Sequence, residues 1–503
     1  MGPASTGFGE YNPLFTRNQL SVQANGVVGS RDTVGNDLVV SGLYDKLSVS
    51  VGILHYTTDG FRRNNDLHED LTNAFVQVAL TPTFNFQAEM RRKDLSRGDL
   101  DLNFDPANFS TSERATVRQE TSRVGLRWAV TPRSDLLLSW IDARIEATTV
   151  LADPGGPGVS NPKVEDGYQT EILYLVRGKH MNLAAGAGSY RTDVDDRTKF
   201  DWTPVFGTPC PVLPPVTCSE YSVYKRTHQT AYLYSDLLLG NAMTVTIGAS
   251  FDSIEVQALD RNQTNPKLGM QWQLSDGVRL RAAYFEAVKR PLVVNQSLEP
   301  TQVAGFNQFF DDSNASLTRR SGLGLDARLG ATAYGGLEFS HRDVEQPQFE
   351  ANTVSFANRD EEFHRAYINW VLGTRWTLNS EYQFEKVRSA DLGPPRLDTS
   401  VAPIFVQYFS PRGYFAKLGA TFVRQDVVLA SGSSFNQTHE SFAVLDAGIG
   451  YRFPKRTGLV SLDVRNLRDK QFLYQDLNYT TANPVTPRFV PERSVFGRLS
   501  LNF

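Results

Sequence analysis

Apolar and polar residues alternate with a strand's period of two along most of this chain, and helical periodicity is nearly absent. In "AMTVTIGASF", Met243, Val245, Ile247, Ala249 and Phe251 oppose Thr244, Thr246, Gly248 and Ser250. In "TFNFQAEMRRK", Phe84, Phe86, Ala88 and Met90 oppose Asn85, Gln87, Glu89 and Arg91. "RWTLNSEYQFE", "VLDAGIGYRF" and "GLVSLDVRN" repeat the pattern, with one face apolar and the other polar or charged. The strands so predicted run to about 10–14 residues, twice the usual strand length. A tilted strand needs about 10 residues to cross a bilayer.

The connections are asymmetric. Short turns at Tyr44–Lys46, Thr131–Ser134, Ser275–Gly277, Gly373–Arg375 and Pro454–Arg456 alternate with longer polar loops. The loops fall near 57–69, 97–116, 151–164, 194–220, 257–264, 291–316, 346–359, 389–397, 426–440 and 468–491. Short periplasmic turns and long extracellular loops are the pattern of an outer-membrane barrel. The expectation is therefore an all-β, transmembrane antiparallel β-barrel of about 22 strands, with both termini in the periplasm. Residues 1–16 form a periplasmic N-terminal tail on this reading, and 17–503 the barrel.

Composition then fits a wet lumen inside a lipid-facing wall. Mean hydropathy is −0.33, and no apolar run is long enough for a transmembrane helix. The 31 Phe, 19 Tyr and 6 Trp suit aromatic girdles at the two interfaces. A net charge of −4 argues against a nucleic-acid partner. Cys210 and Cys218 stand at a spacing that suits a local disulfide, which implies an oxidising compartment. The opening "MGPASTGFGEYNPLF" lacks a basic and apolar leader, so an exported chain would be mature, truncated or part of something longer.

The last ten residues, "SVFGRLSLNF", form an alternating strand that must pair with the first to close the sheet. Val495, Leu499, Leu501 and Phe503 resemble the C-terminal signal read by the barrel assembly machinery of the outer membrane. "NLRDKQFLYQD…PRFVPERSVFGRLSLNF" resembles the end of TonB-dependent receptor barrels, through Asn466, Leu467, Asp469, Lys470, Phe472, Pro487 and Arg488. The resemblance implies a solute transporter. That family carries a plug and an energy-coupling box ahead of the barrel, and about 16 residues before the first strand leave room for neither. "GFGEYNPLF" (Gly7–Phe15) and "LRAAYFEAVKRPLVVNQSLEPTQVAGFNQFFDD" (Leu280–Asp312) resemble barrels that follow tetratricopeptide repeats, which implies a separate plug or periplasmic repeat domain as partner.

Candidate site residues are the lumen-lining charges Glu89, Arg91, Arg279, Arg281, Glu381, Glu385, Asp446, Arg452, Asp463, Arg465 and Arg498. They suit a polar solute or a plug, and equally a solvated wall of paired charges. The acidic loops Asp99–Pro106 and Phe306–Asn314 offer oxygen ligands without EF-hand spacing. Arg62 and Arg63 of "RRNND" point to lipopolysaccharide phosphates, and outer-membrane lipid is the other expected partner. His55, His68, His180, His228, His341, His364 and His439 form no metal motif and no pair at ligand spacing. No metal, cofactor or catalytic residue is therefore expected, and no enzyme: in "FSHRD", Ser340 and His341 are adjacent and point to opposite faces of a strand.

A lumen of this size must be filled, and loops 194–220 and 291–316 are the candidates. Three functions follow: a receptor-like barrel moving a solute across the outer membrane, an export or assembly pore for polysaccharide or protein, and a non-transporting surface scaffold.

Overall fold

The computed structural model describes residues 4–5, 11, 14–152, 156–212, 216–291, 294, 296–310, 312–350, 353–389, 394–429, 435, 437–476 and 489–503. Among these, twenty-two antiparallel strands close into one barrel. Each strand pairs with the next along the chain, from Gln19–Gly29 and Thr33–Tyr44 onward. The last, Ser494–Asn502, returns to the first, with Gln23 opposite Asn502 and Gly29 opposite Phe496. Val22 and Phe503 extend the seam by exchanging backbone hydrogen bonds of 3.0 and 2.9 Å. Closure leaves no row of unpaired N–H and C=O groups to face lipid. Pro487 and Arg488 lie outside the described residues, as does most of Gly7–Phe15.

Alternation sorts the side chains as a barrel requires. In the strand Met243–Val256, Ile247 and Phe251 are exposed outward, and Thr246, Ser250 and Asp252 are buried inward. Leu323, Leu337, Phe339, Leu418, Phe422 and Ile449 continue the outward apolar band. Aromatic residues collect beside the short turns. Trp376 packs on Tyr408 at 4.8 Å between ring centroids, and Tyr414 on Tyr451 at 4.9 Å. They form a girdle at the short-turn rim.

The strands range from 8 residues at Gly458–Arg465 to 21 at Met181–Asp201, so several expected loops are strand. Val256 and Leu259 are joined by a tight turn, Gly158–Arg177 takes in the second half of 151–164, and Ala333–Glu350 with Thr353–Leu372 takes in nearly all of 346–359. Pattern reading stopped where the apolar alternation stopped. The backbone ladder continues beyond the lipid band, where the outward face becomes charged. Arg92 and Arg118 both hold Asp94 at 2.8 Å. Arg144 holds Glu146 at 2.9 Å and Asp166 at 3.2 Å. Arg197 holds Asp195 and Lys386 holds Glu362, each at 2.6 Å. These cross-strand and i, i+2 pairs form a charged belt around the outside of the barrel, between the apolar band and the long-loop rim.

Residues 194–201 are also strand. In the described part of the tip beyond them Val205, Phe206 and Val212 are exposed, so these residues do not pack into the lumen as a plug would. Cys210 and Cys218 are joined there by a disulfide, with Cα atoms 5.6 Å apart.

Leu323→Arg puts a charge in the middle of the lipid-facing band and is expected to destabilise the barrel by about 2–4 kcal/mol. Arg91→Leu, on the inward face, is expected to change stability by less than about 1 kcal/mol. Reversible denaturant unfolding in lipid vesicles measures both.

Candidate functional site

Strand Val278–Val288 and strand Leu317–Leu329 are neighbours in the wall, and the segment between them folds back into the barrel. Its Leu298, Val303 and Phe306 are buried with wall residues Leu137, Leu173, Tyr232, Tyr234 and Phe285. Tyr11 completes this cluster, with its carbonyl accepting a hydrogen bond from Asn85 at 2.6 Å. Ala4–Ser5 pairs in parallel with Gln296–Ser297. The described parts of the N-terminal tail before residue 14 thus lie in the lumen alongside the loop.

Arg290 anchors the loop. Its guanidinium is 3% exposed and forms an ion pair with Glu299 of the same loop. It also reaches Ser297 at 3.3 Å, Tyr190 at 3.4 Å and Thr230 at 3.5 Å, and lies 3.8 Å from Asp252. Glu171, from the wall, accepts hydrogen bonds from the Ser297 hydroxyl at 2.8 Å and the Leu298 N–H at 2.7 Å, and from Tyr190. Tyr234 donates to Glu299, and Gln308 donates to Tyr234 at 3.2 Å and to the Pro300 carbonyl at 2.6 Å. Asp252 is held by His228 at 2.8 Å, Ser250 at 2.8 Å and Asn265 at 2.7 Å. Burial opposes the Arg290 charge, but Tyr190, Asp252, Glu171 and Tyr234 outweigh it and hold its pKa above the ordinary guanidinium value. Arg290 thus lies among three buried carboxylates, two from the wall and one from the loop, and Lys267 of the wall is a second buried cation near Asp252.

The loop reaches across the lumen to both sides. Arg123 donates to the Gln296 side chain at 2.9 Å, and Gln169 to the Gln296 carbonyl at 3.0 Å. On the far side Arg342 and Arg359 hold Asp312 at 2.7 and 2.6 Å. Arg342 also lies over the Phe310 ring at 4.1 Å, and Arg281 over Phe306 at 5.1 Å. Small wall residues make the fit possible. A Cβ at Gly322 would stand 2.4 Å from the Phe306 ring, and one at Gly269 would stand 2.8 Å from Val303. Between loop and short-turn rim remains a cavity of about 740 Å³, lined by Arg177, Asp236, Arg279, Arg281 and Asp326 with Pro300, Gln302, Ala304 and Gly305.

The sequence-predicted charges occupy inward positions of the wall. Arg279 and Arg281 meet Asp326 at 3.2 and 2.9 Å beside this cavity. Glu89 faces Arg123 at 3.5 Å, and Glu381 faces Arg365 at 2.6 Å. Asp446 accepts from the Asn466 N–H at 3.0 Å, and Asp463 lies 3.9 Å from Arg498. Arg465 stands over Phe496, and Arg452 over Phe409. Arg91 and Glu385 are exposed in the lumen. These groups are spread around the wall, and only Arg279 and Arg281 adjoin the loop. Val495, Leu499, Leu501 and Phe503 lie on the outward face of the closing strand.

Other candidates resolve into structural roles. Arg62 turns inward to Asp99 at 3.1 Å, away from a lipid surface, and lies over the Phe109 ring. Asp99 also accepts backbone N–H groups from Asp101 and Ser110, which leaves little of it for a cation. Ser340 is buried inward on Arg320, and His341 faces out. Arg290, Glu299, Glu171 and Tyr190 are not among the sequence-predicted residues. The loop carries Leu298, Val303, Phe306, Phe309 and Phe310, apolar side chains that favour burial.

The molecule is thus a closed membrane barrel whose lumen is occupied by its own loop. Residues 56–317 match the family model of the TonB-dependent receptor-like β-barrel. The chain belongs to this family, whose members are receptors and transporters of the outer membrane and not enzymes. The ferripyoverdine receptor of Pseudomonas aeruginosa superposes with a TM-score of 0.72 at 12% identity, over 98% of this chain and 72% of that one. The ferric yersiniabactin uptake receptor of Yersinia pestis gives 0.72 at 13%, over 98% and 81%. The copper transporter OprC gives 0.74 at 13%, also over 98% and 81%. A search of curated protein sequences returns no match. At these identities the solved structures establish the fold.

Arg290→Ala leaves Glu299, Glu171 and Asp252 buried without their shared cation, a loss expected to cost about 3–5 kcal/mol. Gly322→Val is expected to expel Phe306 while leaving the barrel closed. Limited proteolysis of the folded protein should then cut within 298–310 in both variants and spare that segment in the parent.

Proposed function

We propose that this barrel moves a solute across the outer membrane through its lumen, with the loop between Lys289 and Ser316 as the gate. The carrying observation is the loop's anchorage on Arg290, a charge cluster whose wall half and loop half are each incomplete alone. Such a cluster is costly to leave half-made, so the loop has one favoured position. The paired charges Arg279, Arg281 and Asp326 beside the cavity suit a polar solute at the next step of the path.

Family membership supports this reading, and the solved relatives are named for iron chelates and copper. Their low identity carries no particular cargo over. On the same reading the short-turn rim and both termini face the periplasm, and the long connections face outward. The outward apolar band meets lipid, and the charged belt above it lies at the level of lipopolysaccharide headgroups. The C-terminal strand is the segment offered to the barrel assembly machinery. A plug or periplasmic repeat domain would engage the cavity from the short-turn side.

Single-channel recording in planar bilayers tests the gate. The intact chain is expected to be closed, and replacing 291–314 by a short Gly-Ser linker should give large stable currents. Arg290→Ala should give flickering openings. Silence of all three forms overturns the transport reading in favour of a sealed scaffold.

A further inference from the structure

The outer face carries a second arrangement that lies outside the lumen and its gate. On the charged belt, carboxylates are commonly answered by guanidinium or ammonium groups, as Asp94, Asp166, Asp195 and Glu362 are. Asp70 is different. It lies directly across the ladder from His55, and His68 shares its strand two residues away, on the same face. His55 Nδ1 stands 2.7 Å from one Asp70 oxygen, and His68 Nε2 stands 2.9 Å from the other. The two imidazole rings approach edge to face at 5.2 Å. One ligand atom from each of the three residues falls within 4.8 Å of the others.

We propose that His55, His68 and Asp70 bind a divalent transition-metal cation of the zinc class on the outside of the barrel. Three physical points carry this. The donor set is two imidazole nitrogens and a carboxylate, which suits zinc, copper or nickel better than calcium or magnesium. The ligands sit on paired strands of a closed sheet, so the backbone fixes their spacing. Donors around a tetrahedral zinc at about 2.0–2.1 Å stand roughly 3.3 Å apart, so small side-chain rotations open the present hydrogen bonds into a metal site. His55, His68 and Asp70 have side chains 40%, 45% and 49% exposed, so a cation reaches them directly and a fourth position stays open to water.

The belt repeats the device in a harder form at His341, 3.3 Å from Asp343 and 3.4 Å from Asp360. With one nitrogen and two carboxylates it should take the same ion more weakly, and it serves as the internal control.

Zinc chloride is titrated calorimetrically into the folded, full chain in detergent, and cobalt chloride is followed by its visible absorption. The parent should show a saturable tight event and a weaker one. His55→Asn with His68→Asn should weaken the tight event by at least tenfold and abolish the cobalt bands that accompany it. His341→Asn should remove the weaker event and leave the tight event and its cobalt bands unchanged. Asp70→Asn, which keeps the imidazoles, should weaken the tight event by a smaller factor and supplies a second readout if the double variant folds poorly. Absence of zinc uptake by the parent overturns the proposal, as does a tight event that survives loss of both imidazoles.

Discussion

Everything in this molecule rests on one constraint: the hydrocarbon core offers no partner for a backbone N–H or C=O. A sheet can satisfy that only by having no edge. The pairing of Ser494–Asn502 with Gln19–Gly29 brings the two ends of the chain together and removes the last unpaired row. Once closed, each strand has a lipid side and a lumen side, and period-two alternation assigns every residue to one of them. Aromatic girdle, apolar wall, inward charges and outer belt all follow from that closure.

Closure also creates a difficulty that the loop after Val288 resolves. A barrel of twenty-two strands encloses more space than wall side chains fill. The loop fills it with an apolar body, Leu298, Val303 and Phe306, and a polar pin, Arg290. The pin is a buried charge cluster rather than more apolar contact. Such clusters contribute little net stability but penalise every arrangement that breaks them. They therefore specify position, which a loop crossing a wide lumen needs more than adhesion. The glycines at 269 and 322 let the loop sit close to the wall, where any side chain would hold it off.

The class of fold was legible because the signal is redundant. Ile247 and Phe251, or Leu445, Ala447 and Ile449, repeat the same alternation, and turn and loop lengths supplied an independent count. Strand ends were less legible. Beyond the lipid band the outward face turns charged, as at Arg92 and Asp94, while the ladder goes on, so hydrophobicity no longer reports pairing. The lumen-filling loop was half legible: the segment 291–316 stood out, but so did 194–220, whose described tip is exposed. Apolar content does not separate them, since Phe200, Trp202, Val205 and Phe206 lie in the second segment; only the fold buries Leu298, Val303 and Phe306 and leaves Val205 and Phe206 exposed. The partners of Arg290 could not be found, because Glu171, Tyr190 and Asp252 come from different strands far apart in sequence. His55 and His68 were read as scattered for the same reason. Thirteen positions separate them along the chain, and one strand pairing brings their rings together.

By itself the sequence determined the period, the faces and the approximate number of strands, because each is a local property of neighbouring residues. The same alternation assigns charges to one face, since alternation needs no knowledge of partners. Only the tertiary structure decided which loop enters the lumen, what pins it, and which outward side chains meet on the belt. Those depend on strand register around a closed ring. Register is set by the sum of many weak cross-strand contacts and by closure itself, neither of which any single stretch of sequence contains.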